Sequence, residues 1–392
     1  MAEEDVRLNN GTVSKVCSCE QLQELFRQAQ AQNIPVTLYN EPQPGGISLD
    51  VSAWNNVEVF DVDNLMVIVP PGMLLKDLRE MAAAKGLRFI PADTPYLESL
   101  SVGEWAYRGC PNLSNWKYAA GKHFLLGASY VFPNGDMAPV GGRCIKNVTG
   151  YDFTRFLTGA YADFGVGVRY IIKLMPQPAY RHCFDICVNS LERAIEIINN
   201  LQAYSVPPAW LFWADEVASR KLFGQEHRHH RLLVELDGNE AEVRDYQTVV
   251  SQMMVNETIQ PSAAAIPNVS FLEADAADFW LMDEFKLPSR TVPAFRDRFN
   301  TLLKEEGMTG GLFGQLADGK IHIYVERQRP AAVLSLIKEL QQTARSLGGS
   351  FSGKYTRLYG GAEPSTLAAL ETEFKKLIDP GLIFNRREVA VQ

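Results

Sequence analysis

The apolar pattern changes character at Pro176 and Pro178, and that change limits the fold more than any single motif. Upstream, the helical spacing of CEQLQELFRQAQAQ (19–32) leads into the short strand-type run IPVTLY. ISLDVS, VEVFDVD and LMVIVPP then read as brief strands, followed by a helix in PGMLLKDLREMAAAKG that Gly86 closes. FLLGASYVFPNG and VRYIIKLMP add further strands. Downstream, RHCFDICVN, RLLVELDG, DFWLMDEFKLPS and KIHIYVE alternate with the helical segments LERAIEIINNLQAY, EAEVRDYQTVVSQMM, VPAFRDRFNTLLKEEG and PAAVLSLIKELQQTARSLG. Such alternation suits an antiparallel sheet covered by helices on one side. The chain is therefore expected to be α+β, with domains at 1–178 and 179–340 and a segment at 341–392 holding the last helix, PSTLAALETEFKKLID.

With 392 residues and 46% apolar content there is material for two or three cores. The net charge of −8 gives no electrostatic reason to approach nucleic acid or an anionic bilayer. The N-terminal MAEEDVRLNN lacks the basic and apolar regions of a secretory signal, and no apolar run approaches the roughly 18 residues of a membrane span. A cytoplasmic location is expected. Cys17, Cys19, Cys110, Cys144, Cys183 and Cys187 lack metal-site spacing and read as reduced thiols.

Residues 91–122 are rich in Gly, Pro, Asn and aromatics without periodicity, and read as a long irregular segment of the functional or partner-facing kind. Trp105, Tyr107, Trp116 and Tyr118 in it suit either an interface or a core. In ADFGVGV, Gly165 and Gly167 supply a tight turn before a strand, either an ordinary strand entry or a close approach of backbone to a ligand. In KNVTGYDFTRFLTG, Asp152 stands where it would cap the following helix.

GGRCIKNVTGYDFTRFLTGAYADFGVGVRYIIKLMPQP at 141–178, together with DPGLIFNRRE at 379–388, resembles the vanillyl-alcohol-oxidase, or PCMH-type, FAD-binding flavoproteins, and within them the FAD-binding subunits of glycolate oxidase. The resemblance implies a PCMH-type FAD-binding domain of two subdomains over 1–178, a cap domain over 179–340, and a return of 341–392 to the first. It implies non-covalent FAD, held by Ser101, Val102, Gly103, Asn147, Thr149, Gly150, Asp152, Gly165 and Val166. Implied partners are a paralogous catalytic flavoprotein and an iron–sulfur subunit, the chain reaching a membrane only through one of them.

Departures from the family pattern bear on chemistry. The first pyrophosphate loop is reduced to NEPQPGG (40–46), with Glu41 and without the run of glycines or the hydroxyl residue. In the second loop the paired glycines become Gly103-Glu104, whose carboxylate would repel a diphosphate unless it points away or a cation such as Arg108, Lys117 or Lys122 intervenes. Catalytic relatives carry H-x-G-D-G-N-x-H; here the segment is Gln315-Leu-Ala-Asp-Gly-Lys-Ile-His322, and Ile145 stands at the arginine of those relatives. His227, His229 and His230 lie in a charged connection and read as a solvated loop. The expectation is an FAD-binding subunit of a glycolate or D-lactate (2-hydroxyacid) dehydrogenase complex that relays electrons or is non-catalytic, with a flavin-free assembly scaffold as the alternative.

Overall fold

The computed structural model describes residues 13–39, 43–92, 95–144, 150–159, 163–223, 229–254, 257–260, 279–326, 330–352 and 366–386. The first unit is a three-stranded sheet with one helix on it. Strands β1 (Val13–Lys15), β2 (Val36–Thr37) and β3 (Ile47–Asp50) form a parallel sheet in the order β1-β3-β2, covered by α1 (Cys19–Gln32). The Ser18 side chain caps α1 by accepting from Gln21 N at 3.2 Å, and Asn33 ends it in the left-handed conformation. Leu22, Leu25, Phe26 and Ala29 fall on one face at helical spacing and are fully buried against Val36 and Ile47.

The second unit contains β4 (Val59–Asp61), β5 (Met66–Val69), α2 (Leu75–Ala83) and β6 (Leu87–Arg88). It continues through the short helices α3 (Pro95–Ser99), α4 (Val102–Tyr107) and α5 (Asn115–Tyr118), then β7 (Leu125–Val131), β8 (Met137–Gly141), α6 (Phe153–Leu157), β9 (Val166–Lys173) and β10 (Met175–Pro176). Five of these strands make an antiparallel sheet in the order β4-β5-β9-β7-β8, and β10 pairs with β6. The 91–122 stretch, expected to be irregular, is largely helical turns. Ser101 caps α4 through Glu104 N at 3.1 Å, and Trp105 is buried with its indole N–H on Pro111 O. These turns are too short for a 3.6-residue period to show in sequence.

The cap domain is built from β11 (Tyr180–Val188), α7 (Leu191–Ala203), β12 (Trp210–Ala214), α8 (Glu216–Phe223), β13 (His230–Gly238), α9 (Glu240–Met253), β14 (Thr258–Gln260) and β15 (Phe279–Lys286). It is completed by α10 (Val292–Glu306), β16 (Gly310–Gln315), β17 (Lys320–Glu326), α11 (Pro330–Ser346) and β18 (Ser350–Ser352). Among the described residues the strands form one antiparallel sheet, β14-β11-β13-β12-β16-β17-β15-β18. Strand residues that alternate along one face, such as Ile186, Leu232, Val234, Leu312, Ile321 and Ile323, share a core with α7, α9, α10 and α11. The opposite face supplies Trp210, Phe212, Leu233, Phe313 and Tyr324 to the core of the first domain. α11 runs through residue 340, and β18 pairs with β15, so the cap sheet draws on chain beyond 340.

The last helix, α12 (Thr366–Ile378), hands the chain back to the first unit. Phe384 bridges Val36 in parallel and packs edge-on against Phe26 at 5.2 Å. In the turn between, buried Asp379 accepts from Ile383 N and Phe384 N at 3.0 Å each, from Gln30 Nε2 at 2.7 Å, and pairs with Lys375 at 2.9 Å. The physical content of D-P-x-x-I-F-N is thus a clasp. The aspartate satisfies a sharp turn, and Ile383 and Phe384 fill the core beneath α1.

Candidate functional site

Two loops approach each other where β2 leaves the first sheet and α4 begins. Val102 N donates to Met73 O at 2.7 Å, Gly103 N to Pro71 O at 2.9 Å and Glu104 N to Ser101 Oγ at 3.1 Å. Tyr39, which follows β2 and sits at φ 59°, turns its phenol against this helix start. Its ring meets Tyr107 edge-on at 5.3 Å, and its hydroxyl lies 3.5 Å from Ser101 Oγ. A Cβ placed on Gly103 would come within 2.4 Å of the Tyr39 hydroxyl and 2.9 Å of Pro71 Cβ. Glycine at 103 is therefore required by Tyr39 and Pro71. Burial pushes the Tyr39 phenol above its ordinary pKa, with Ser101 opposing, so the group stays neutral.

The cation expected beside Glu104 is Arg108, one helical turn on, at 2.8 Å. Lys117 and Lys122 serve elsewhere. Lys117 pairs with Asp237 Oδ1 at 2.7 Å, and Lys122 Nζ donates to Thr158 O at 2.8 Å. Tyr118 donates to the same Asp237 oxygen at 2.7 Å, and Arg88 reaches its other oxygen at 2.5 Å. Asp237 lies on the cap sheet while its three partners belong to the first domain. The aromatic stretch of 105–118 is likewise internal: Trp105 and Tyr107 are buried, and Trp116 packs against the helical core of the cap.

The other predicted contacts have separate surroundings. Gly165 presses on Val131 O, where a Cβ would approach to 2.7 Å, and Val166 is buried in register with Val131. Gly150 takes φ 80° in open space, and Asp152 caps α6 by accepting from Arg155 N at 3.0 Å. Asn147 and Thr149 lie outside the described residues, as do residues 40–42 of the first loop and His227. His230 opens β13 beside Trp213, and burial first of all lowers its pKa.

At the segment matching H-x-G-D-G-N-x-H, Gln315 is buried and both ends of its amide are engaged. Nε2 donates to Asn112 O at 3.1 Å and Oε1 accepts from Asn115 Nδ2 at 3.1 Å. His322 stacks on Phe313 at 5.3 Å, with Glu284 3.7 Å from its Nε2. Among the described residues no group of three or more His, Cys, Asp or Glu side chains could hold a metal ion. Tyr39, against the start of α4, and Asp237, in the joint between the two domains, are residues that the sequence did not single out.

Two family models match the chain: an FAD binding domain over residues 13–141, and the C-terminal domain of FAD linked oxidases over 186–389. The chain belongs to the FAD-linked oxidases. FAD is the cofactor that this membership supports, and the chain is an FAD-linked oxidoreductase related to glycolate and D-lactate oxidising proteins. It is 23% identical to glycolate oxidase subunit GlcD of Bacillus subtilis over 337 residues, covering 80% of this chain and 72% of that protein. To a D-lactate dehydrogenase of Archaeoglobus fulgidus it is 24% identical, over 97% of this chain and 91% of the relative. An alkyldihydroxyacetonephosphate synthase shares the fold with a TM-score of 0.74 at 14% identity, over 96% of this chain and 77% of that one. 4-Ethylphenol oxidase from Gulosibacter chungangensis gives 0.74 at 14% identity, over 94% and 87%. The PCMH-type α+β fold expected from the sequence is the fold observed, and p-cresol methylhydroxylase itself superposes with a TM-score of 0.70 at 14% identity over 95% of this chain and 87% of that one.

Against that membership, the described residues at 101–104 do not fit a diphosphate as they stand. Three N–H groups that could turn to an anion already donate within the protein, and the space at Gly103 is taken by the Tyr39 phenol. No helix among the described residues is long and apolar enough to cross a membrane.

Proposed function

We propose that this chain is the FAD-binding subunit of a glycolate or D-lactate dehydrogenase complex, and that it relays electrons or supports assembly and leaves oxidation of the acid to a paralogous flavoprotein. An iron–sulfur subunit is the second partner, and the complex works in the cytoplasm, meeting a membrane only through a partner. The observation that carries this reading is Gln315. Hydride removal from a 2-hydroxyacid needs a base and an electrophile at the hydroxyl. The residue at the position of the first catalytic histidine is instead an amide tied into the joint between the two domains. Kinship with a protein named as a glycolate oxidase subunit supports the assignment to a complex.

The test is to purify the chain alone and with co-expressed partners, record the visible spectrum, and assay glycolate and D-lactate oxidation. A flavin spectrum assignable to this chain in the complex, with no turnover by the chain alone, is expected. Turnover by the isolated chain would remove the non-catalytic reading.

A second reading, a flavin-free scaffold, is favoured by the closure of Tyr39 onto Gly103. A complex whose flavin content equals that of the catalytic paralogue alone would select it.

A further inference from the structure

Exposed apolar side chains gather at one place on this molecule. Of the twelve large apolar residues exposed among the described ones, five lie on α6, on the turn before it or on α12: Tyr151, Phe153, Phe156, Leu370 and Leu377. Apolar residues scattered singly over a surface are ordinary, whereas a contiguous group marks a contact with something else.

Phe374 joins the two helices. Its ring stacks on Phe153 at 6.5 Å and meets Phe156 edge-on at 5.2 Å, while Phe164 lies buried 5.1 Å away. Tyr151, 91% exposed, meets Phe153 edge-on at 6.4 Å, so the aromatic row runs outward into solvent. From Ala369 to Ile378, only Phe374, Lys375 and Ile378 of α12 turn inward, and Lys375 is taken up by the clasp at Asp379.

Leu370 and Leu377 remain 62% and 72% exposed. Seven residues make almost two whole helical turns, so these leucines stand in line along α12, about 10 Å apart. Phe374 flanks that line on one side. Glu373 and Lys376, exposed and paired at 2.8 Å, flank it on the other. An apolar line with a charged flank is one half of a helix pair.

The order of the charges selects the other half. In an antiparallel, two-fold pairing centred between Glu373 and Phe374, each Leu370 comes level with the second copy's Leu377. Glu373 then lies on the same flank as the second copy's Lys376 and within about 3 Å of it along the axis, at a rise of 1.5 Å per residue, and the reciprocal pair forms with it. A parallel pairing would set Glu373 beside Glu373 and Lys376 beside Lys376. On the opposite flank the aromatic rows of the two copies meet. We propose that α12, with the aromatic row of residues 151–156, is a two-fold interface between two copies of this chain.

Sedimentation of the full chain over a concentration series tests this. The mass is expected to rise to twice the 43.8 kDa of one chain. Leu377→Glu should weaken the association at least about tenfold, as should Glu373→Lys and Lys376→Glu taken singly. An equimolar mixture of the two charge variants should recover the dimer, because every cross-copy pair is then opposite in sign. All three positions are exposed and the Glu373–Lys376 pair is a surface pair, so thermal midpoints of dilute samples should match the parent and verify folding. A parent that stays monomeric throughout, or a Leu377→Glu variant that dimerises as the parent does, overturns the interface. A mixture that stays monomeric overturns the antiparallel register. Loss of a paralogous flavoprotein from the purified complex on Leu377→Glu, with the parent chain present in one copy, would give this face to that partner and overturn the second copy. A missing flavin spectrum bears on the proposed function and leaves the mass untouched, so the two can fail separately.

Discussion

Asn385, near the carboxyl end, holds Leu38 by both backbone groups: its Oδ1 accepts from Leu38 N at 2.9 Å and its Nδ2 donates to Leu38 O at 3.4 Å. The residue after Leu38 is Tyr39, whose phenol closes on Gly103. The C-terminal motif thus fixes the strand exit from which the first dinucleotide loop departs. Asn385 is itself buried in the left-handed region, and its own N–H extends the bridge by donating to Val36 O at 2.8 Å.

Replacing Asn385 by Ala leaves the Leu38 N–H and C=O without partners in a buried setting, at a cost of about 2 kcal/mol. Urea unfolding should show that loss, and hydrogen exchange should show it concentrated at Val36 and Leu38. Unchanged exchange at Leu38 would mean that the clasp does not hold the strand.

Asp237 makes the link between domains dependent on pH. Burial would raise its pKa, but hydrogen bonds and charge from Lys117, Arg88 and Tyr118 outweigh burial and hold it below the ordinary carboxylate value. A folded pKa below the unfolded one, near 4, means stability that is fully present above that value and lost as pH falls through the folded one. Asp237→Asn should flatten this acid limb of the stability curve and cost roughly 3 kcal/mol at neutral pH, because Arg88 and Lys117 lose their counter-charge. An acid limb of unchanged steepness in the variant would assign the proton uptake to other carboxylates.

Tyr39 and Gly103 should be coupled. Gly103→Ala places a methyl 2.4 Å from the Tyr39 hydroxyl and should destabilise the first domain by about 1–3 kcal/mol. In a Tyr39→Ala background the cost should shrink without vanishing, since Pro71 Cβ at 2.9 Å and Pro71 O at 3.0 Å remain in the way. Tyr39→Ala alone should tighten FAD binding, followed by flavin fluorescence quenching, because it opens the space beside α4. Weaker binding in that variant would make the phenol a ligand and not an obstruction.

Some of this was legible in the residues. Period-2 and period-3.6 patterns, changing at Pro176 and Pro178, carried the α+β class and the helix-covered antiparallel sheet, because strand alternation and helix amphipathicity are written directly in side-chain polarity. Asp152 as a cap was legible for the same local reason. The strand WLFWA at 210–214 was not, since a strand buried on both faces shows no alternation.

What the sequence by itself determined, then, was which segments could bury a face and which loops had lost the glycines of a dinucleotide cradle. Only the tertiary structure decided what took their place. Tyr39 meets Gly103 across 64 residues of chain, and Asp237 gathers Arg88, Lys117 and Tyr118 from another domain. The physical reason is range: propensity and periodicity act over a few neighbours, whereas a buried charge or a close backbone approach is defined by partners that only the folded chain brings together.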